Sequence, residues 1–291
     1  MKFRVMEIAL KEVSFHYQTG GQDIPALVDV SLTVRPGEWL AVIGAGGSGK
    51  STLAQIMAGL LRPSRGQVYL DGVPLWRSRG KGTPTWRGRI GLALQQPERQ
   101  LFAETVGQDV AFGPRSLGLP PQEVERRVRK SLRSVGLDQE VAGRSPFSLS
   151  GGQQRRVALA GILALEPEVF ILDEPTAGLD PAGRNLILQV LKGYHRQGNT
   201  VIFISHNMAE VAALAQRIAV LHQGRLVFWG SPGEAFDGRI DLSRWGLRPP
   251  PITEVFLELR HLGAPVSSAV FSLEAAEEEI LRWYRSEGHD L

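Results

Sequence analysis

The chain has 291 residues, enough for one or two domains of ~150 residues with a sizeable core. Hydrophobic residues make up 43% and charged residues 22%, which excludes a disordered chain, a collagen and a membrane channel. There is no cysteine, hence no disulfide framework and no thiolate metal site, and a net charge of +3 is too mild to argue for nucleic acid.

The start alternates apolar and charged residues instead of running apolar, so no targeting segment is expected. No stretch approaches ~18 uninterrupted apolar residues. The expected location is the cytoplasm, with a membrane reached only through a partner. Residues 8–17 alternate as a strand, and the break in step between Leu10 and Val13 predicts a bulge or a turn. Leu27–Val34 is a second strand, closed by the turn Arg35-Pro36-Gly37-Glu38. Trp39–Ile43 is a short apolar strand that runs into a glycine-rich loop, and Leu53–Leu60 reads as a helix. Gly66–Asp71 is a strand. Residues 76–89 form a polar loop carrying Arg77, Arg79, Lys81, Arg87 and Arg89. It reads first as solvated surface and second as a contact for acidic lipid head groups or an acidic partner.

Residues 104–165 look mostly helical. Val169–Leu172 and Val201–Ile204 are buried strands preceded by helical stretches, which argues for parallel strands joined by helices, an α/β class. After Gly230 the texture changes. Thr253 is placed to cap one helix and Ser272 another, so 232–291 reads as a helical appendage.

Gly44-x4-Gly49-Lys50-Ser51 matches the phosphate-binding loop. Glycines let backbone N–H groups turn inward onto phosphate oxygens, and the following helix points its positive end at them. Lys50 supplies a charge for the β and γ phosphates, and the Ser51 hydroxyl a ligand for Mg²⁺. The apolar strand ending in Asp173-Glu174 brings two carboxylates to the same sheet edge. Asp173 is expected to hold Mg²⁺ through water and Glu174 to polarise the attacking water. Leu149-Ser150-Gly151-Gly152-Gln153, about 20 residues before that pair, opens another helix whose start suits a γ-phosphate.

Through these three segments the chain resembles the ATP-binding cassette family over about residues 6–232. GAGGSGKST resembles its Walker A motif, LSGGQ its signature, and VFILDEPTAGLD its Walker B and D-loop. The resemblance implies a P-loop NTPase core with an antiparallel β subdomain, a helical signature subdomain at about 97–165 and a small C-terminal helical extension. The cassette would span 1–231 and the extension 232–291. It implies ATP and Mg²⁺ as cofactors, with Gly44, Gly46, Gly47, Ser48, Gly49, Lys50, Ser51 and Thr52 around the phosphates. Tyr17 falls where an aromatic stacks on adenine. Gln95 falls at the Q-loop glutamine, a catalytic residue and an ion ligand beside Ser51 and Asp173, with Gln96 as the alternative. His206 falls at the switch histidine, and Asp180 where a residue reaches across a dimer interface. Two cassettes would pair head to tail, each ATP lying against the signature residues Ser150, Gly151, Gly152 and Gln153 of the other.

Two further segments resemble one branch, the energy-coupling-factor transporters: Pro97-Glu98-Arg99-Gln100-Leu101-Phe102, and Gly246-Leu247-Arg248-Pro249-Pro250-Pro251-Ile252-Thr253-Glu254. That branch implies an importer of vitamins or of nickel or cobalt ions, working at the cytoplasmic face of the membrane. A membrane T component would be met near Pro97, Glu98, Gln100, Leu101 and Phe102, and a separate S component would bind the solute. The extension would help the ATPases pair. The competing expectations are the nucleotide-binding subunit of another ABC importer and a soluble ABC ATPase acting on DNA, ribosomes or cluster assembly. Against the DNA-repair members, only 100 residues lie between Lys50 and Gly151, with no sustained heptads.

Overall fold

A computed structural model describes residues 6–76 and 86–286. Arg77, Arg79 and Lys81 of the basic loop lie outside the described residues. In chain order the elements are β1 (Ile8–Thr19), β2 (Gln22–Val34), β3 (Trp39–Ile43), α1 (Lys50–Met57), β4 (Arg65–Leu70), β5 (Val73–Pro74) and β6 (Ile90–Ala93). Then follow α2 (Val106–Ser116), α3 (Pro121–Ser134), α4 (Gly151–Leu163), β7 (Val169–Asp173), α5 (Pro181–Arg196) and β8 (Thr200–Ile204). The chain continues with α6 (Met208–Leu214), β9 (Arg217–His222), β10 (Arg225–Gly230), α7 (Pro232–Phe236), α8 (Pro251–His261) and α9 (Leu273–Ser286).

Among the described residues the strands form two sheets. One is antiparallel, in the order β2-β1-β4-β5; the other has six strands in the order β10-β9-β3-β8-β7-β6. In the second, the β3–β8, β3–β9, β7–β8 and β6–β7 pairs are parallel. The continuous apolar runs explain this: β3, β7 and β8 are buried at every position, as a sheet covered on both faces requires. Alternate residues feed opposite cores. Ala41, Phe170, Leu172, Val201 and Phe203 join the layer of α2–α6. Leu40, Val42, Ile171, Ile202 and Ile204 join α1 and the antiparallel sheet. The three strand ends before Gly44, Glu174 and Ser205 thus share one edge.

The bulge falls where the pattern broke, with a register shift between Leu10 and Val13. The helix expected over Leu53–Leu60 starts earlier, at Lys50, because the loop itself supplies its first turn. Arg89 is not free loop surface: its guanidinium pairs with Glu168 at 2.6 Å and Asp71 at 3.2 Å. Thr253 does not cap α8. Pro250 and Pro251 start that helix, since proline suits its first turn, and the buried Thr253 hydroxyl donates to the Val270 carbonyl at 2.6 Å. Ser272 does cap α9, accepting from the Ala275 N–H at 3.1 Å. Phe256, Val266, Val270 and Ala276 form a small core of their own, whereas Phe236, Leu242 and Leu247 pack into the main one.

Candidate nucleotide site

The loop between β3 and α1 is built so that side chains cannot enter it. A Cβ on Gly44 would lie 2.2 Å from the Leu221 carbonyl oxygen, and one on Gly49 2.4 Å from that of Ala26. Gly49 also sits at φ 100°, a backbone state costly for any other residue. The result is a tight turn feeding the start of α1, where the first N–H groups have no partner within the helix. Gly46 and Gly47 stand on its open side. Ser48 is buried, and its hydroxyl has no hydrogen-bond partner.

Lys50 is buried and folds back over the loop, donating to the Gly44 and Ala45 carbonyls at 2.8 Å each. Burial holds its pKa below the usual lysine value, against the attraction of Asp173 and Glu174. Ser51 donates to the Asp173 carboxylate at 2.6 Å, so hydroxyl and carboxylate meet in one place. Tyr17 is partly exposed, its hydroxyl 3.2 Å from that of Thr52 and its ring edge-on to Phe15.

Glu174 follows directly. It is buried at 9% exposure, and its Oε1 has no hydrogen-bond partner. Burial first, and the Asp173 charge second, push its pKa up to about 7. His206 Nε2 stands 3.6 Å from Glu174 Oε1, and burial holds the imidazole below its usual pKa. The arrangement offers an anion cradle, a cation, an acid–hydroxyl pair for a hard ion, and a carboxyl poised to exchange a proton near neutral pH. Among the described residues no cluster of three or more metal-ligating side chains occurs. The donor set at Ser51 and Asp173 still fits Mg²⁺, which is held by one or two protein ligands together with phosphate oxygens.

The signature lies elsewhere. Ser150 caps α4 and Gln153 reaches back to its N–H, a reciprocal capping box. Gly151 and Gly152 are exposed, with open space around them. Ser150, Gly152 and Gln153 line a shallow cleft with Asp180, which itself caps α5 through the Gly183 N–H. Glu174 and His206 line a different cleft, walled by Gly246–Pro249 of the extension. Gln95 and Gln96 are both exposed. Of the 97–102 segment, Pro97 and Leu101 are buried, and only Gln100 and Phe102 among the named contacts are exposed.

Sequence reasoning missed two groups here. Glu210, buried in α6, accepts from Thr176 at 2.9 Å and Arg184 at 2.6 Å, tying the D-loop to the segment that carries His206. Arg155, buried in α4, donates to the carbonyls of Glu174 and Ala177. Arginine in a helix rich in polar residues reads as surface, so no pattern flagged it.

Residues 27–177 match the family described as ABC transporter. An energy-coupling factor transporter ATP-binding protein EcfA2 of Symbiobacterium thermophilum is 50% identical over 272 residues, 93% of this chain and 94% of that protein. The chain belongs to the ABC transporter family, in its energy-coupling factor ATP-binding branch. The EcfA2 of Caldanaerobacter subterraneus subsp. tengcongensis is 44% identical over 96% of this chain and 98% of its own. Among solved structures, cbiO1 of Clostridium perfringens, described as part of the transporter complex cbiONQ, aligns with TM-score 0.70 at 35% identity, covering 88% of this chain and 96% of its own. The cassette MJ0796, solved as a dimer after hydrolysis with ADP and Pi, aligns with TM-score 0.70 at 32% identity over 77% of this chain and 98% of its own. This ABC ATPase works as the ATP-hydrolysing part of a transporter. No helix among the described residues is long and apolar enough to cross a membrane.

Proposed function

We propose that this chain binds Mg-ATP at the Gly44–Thr52 loop and pairs head to tail with a second ATPase, identical or paralogous. The pair drives uptake of vitamins or transition-metal ions from the cytoplasmic face, through a membrane T component and a solute-binding S component. The observation that carries the reading is the split site. Cradle and carboxylates share one sheet edge, while the signature opens on another cleft, so neither half closes on a nucleotide alone.

In this reading Lys50 exchanges its two loop carbonyls for phosphate oxygens, and Tyr17 stacks on the adenine beside Thr52. Ser51 and Asp173, with Gln95, would hold Mg²⁺, which would neutralise phosphate charge. Glu174 takes the proton of the attacking water, and His206 donates to the γ-phosphate. The N–H groups of Gly151 and Gly152 and the Ser150 hydroxyl face the other chain's nucleotide, and Asp180 lies at that interface. Pairing is then set by the extra affinity of ATP for the closed state, and hydrolysis withdraws it.

Phe102 stands edge-on to exposed Phe112, ring centroids 4.9 Å apart, an apolar pair suited to a helix of the T component. Exposed Val255 on α8, Leu262 just after it and Ile280 on α9 suit pairing through the extension, taken as 232–291.

The test is the mass in solution of the Glu174→Gln protein with and without Mg-ATP. An ATP-dependent doubling supports two complete sites made by one kind of chain. A monomer that binds ATP requires a different partner chain. A monomer that does not bind ATP overturns the reading. Loss of T-component copurification on Phe102→Ser is expected, and retention would remove that surface from the proposal.

A further inference from the structure

Glu174 occupies an awkward backbone state. Its φ is 52°, in the left-handed region where a residue with a Cβ is strained. Such a state persists only where neighbours hold it. Two holds are backbone: the Glu174 N–H donates to the Ile204 carbonyl at 3.0 Å, and the Ala177 N–H donates to the Glu174 carbonyl at 3.3 Å. The third is a side chain from a distant element. Arg155, 7% exposed in α4, donates from Nη2 to the Glu174 carbonyl at 2.7 Å and from Nη1 to the Ala177 carbonyl.

Burying a guanidinium is costly unless its donors are met, and Arg155 Nε is buried without a partner, so the two carbonyl contacts come at a cost in stability. Burial indeed works against the charge of Arg155, and the charges it feels in return are Glu98 and Glu174. Glu98 belongs to the single turn of 97–100 and has a buried Oε2 with no hydrogen-bond partner. Arg155 Nη2 also points at the Gln95 carbonyl, at 3.4 Å. One guanidinium therefore spans the signature helix, the segment after β6, the backbone of Glu174 and the D-loop.

We propose that Arg155 is a positioning residue for hydrolysis, holding the strained backbone of Glu174 so that its carboxyl faces the nucleotide. This rests on the reading of Glu174 as the base. Arg155 touches no reacting atom; it acts through the Glu174 carbonyl. Because the same side chain reaches Gln95 and the charge of Glu98, movement of the 97–102 segment bears on the base through it. Lysine restores the charge but not the planar fork that serves separate carbonyls.

The experiment uses the assembled transporter, with the ATPase pair carrying Arg155→Lys, Arg155→Met, Glu174→Gln, or Arg155→Met with Glu174→Gln. Single-turnover hydrolysis, steady-state kcat and KM, and equilibrium ATP binding are measured. Arg155→Met is expected to lower kcat about a hundredfold, with KM and ATP affinity changed less than twofold. Arg155→Lys should recover about tenfold of that loss. In the Glu174→Gln background, Arg155→Met should cost nothing further in hydrolysis, since the carboxylate it positions is gone. The proposal is overturned if Arg155→Met leaves kcat unchanged, if ATP affinity falls in step with kcat, or if the same loss recurs without the Glu174 carboxylate. If Arg155→Met does not assemble, Arg155→Lys alone and in the Glu174→Gln background gives the same decision. Full activity in Glu174→Gln alone would instead remove the base on which the proposal stands, a result separate from any of these.

Discussion

The loop before α1 and the loop before α4 look alike in sequence, each a glycine-rich turn opening a helix, but they are opposite in construction. Around Gly44 and Gly49 the chain is closed on itself: neighbouring carbonyls leave no room for a Cβ, and Lys50 and Ser51 spend their donors inside the chain. Around Gly151 and Gly152 nothing lies within 4 Å of a Cβ, and the helix start faces solvent. At Gly44 and Gly49 glycine is required by the fold; at Gly151 and Gly152 the fold does not explain it. Open space at Gly151 and Gly152 is what the proposed head-to-tail pairing would use, because a second chain's nucleotide could approach their N–H groups there.

The sharpest way to break this comparison is to put alanine in both loops. Gly44→Ala forces a Cβ onto the Leu221 carbonyl, and a cost on the order of 4 kcal/mol is expected, with loss of ATP binding. Gly152→Ala should change stability by less than about 0.5 kcal/mol, as an exposed position without contacts does. Yet in the Glu174→Gln background it should weaken ATP-driven pairing at least tenfold. Thermal melts and sedentation-type mass measurements, run side by side, decide it. Equal stability losses in the two loops would mean that the second is also part of the fold.

The contrast also explains how much could be read from the residues alone. The glycine-rich turn, the Asp173–Glu174 strand end and the helix start after Leu149–Gln153 were legible, because each rests on local chemistry: a backbone state only glycine takes, a short apolar run, a glycine turn followed by helix formers. The parallel sheet followed from the same runs. What stayed hidden depends on tertiary contact. Arg155 and Glu210 are charged residues in helices, and nothing in their neighbours distinguishes a buried bridge from a solvated face. Thr253 read as a cap because threonine is a good one, but two prolines before it already start the helix. Arg89 read as free because Glu168, its partner, lies 79 residues away.

A second, smaller effect separates the two halves by charge. Glu174 has its pKa raised from 4.5 to about 7, so its ionised form is disfavoured in the folded, nucleotide-free protein. Below pH 4.5 the group is protonated whether folded or not and costs nothing. The penalty grows as pH rises from 4.5 to 7 and is complete above that, up to about 3 kcal/mol. Glu174→Gln removes it. In EDTA without nucleotide, the variant should melt higher than the parent at pH 8, with the gap closing toward pH 5. No gap at pH 8 would mean that the carboxylate is hydrated in the empty site.

The smallest effect tests whether Ser150 is more than a cap. Its hydroxyl accepts from the Gln153 N–H at 3.3 Å, so Ser150→Ala should cost about 1 kcal/mol through the helix start alone. That loss would blur any effect on pairing. Ser150→Asp resolves it, because aspartate caps as well as serine and favours the positive helix end. Stability should return to the parent value. If the hydroxyl also faces a phosphate of the other chain's ATP, a carboxylate there meets like charge, and ATP-driven pairing should fall further than with alanine. If pairing recovers together with stability, Ser150 serves only its own helix, and the second loop's contribution to the shared site comes from the glycine N–H groups instead.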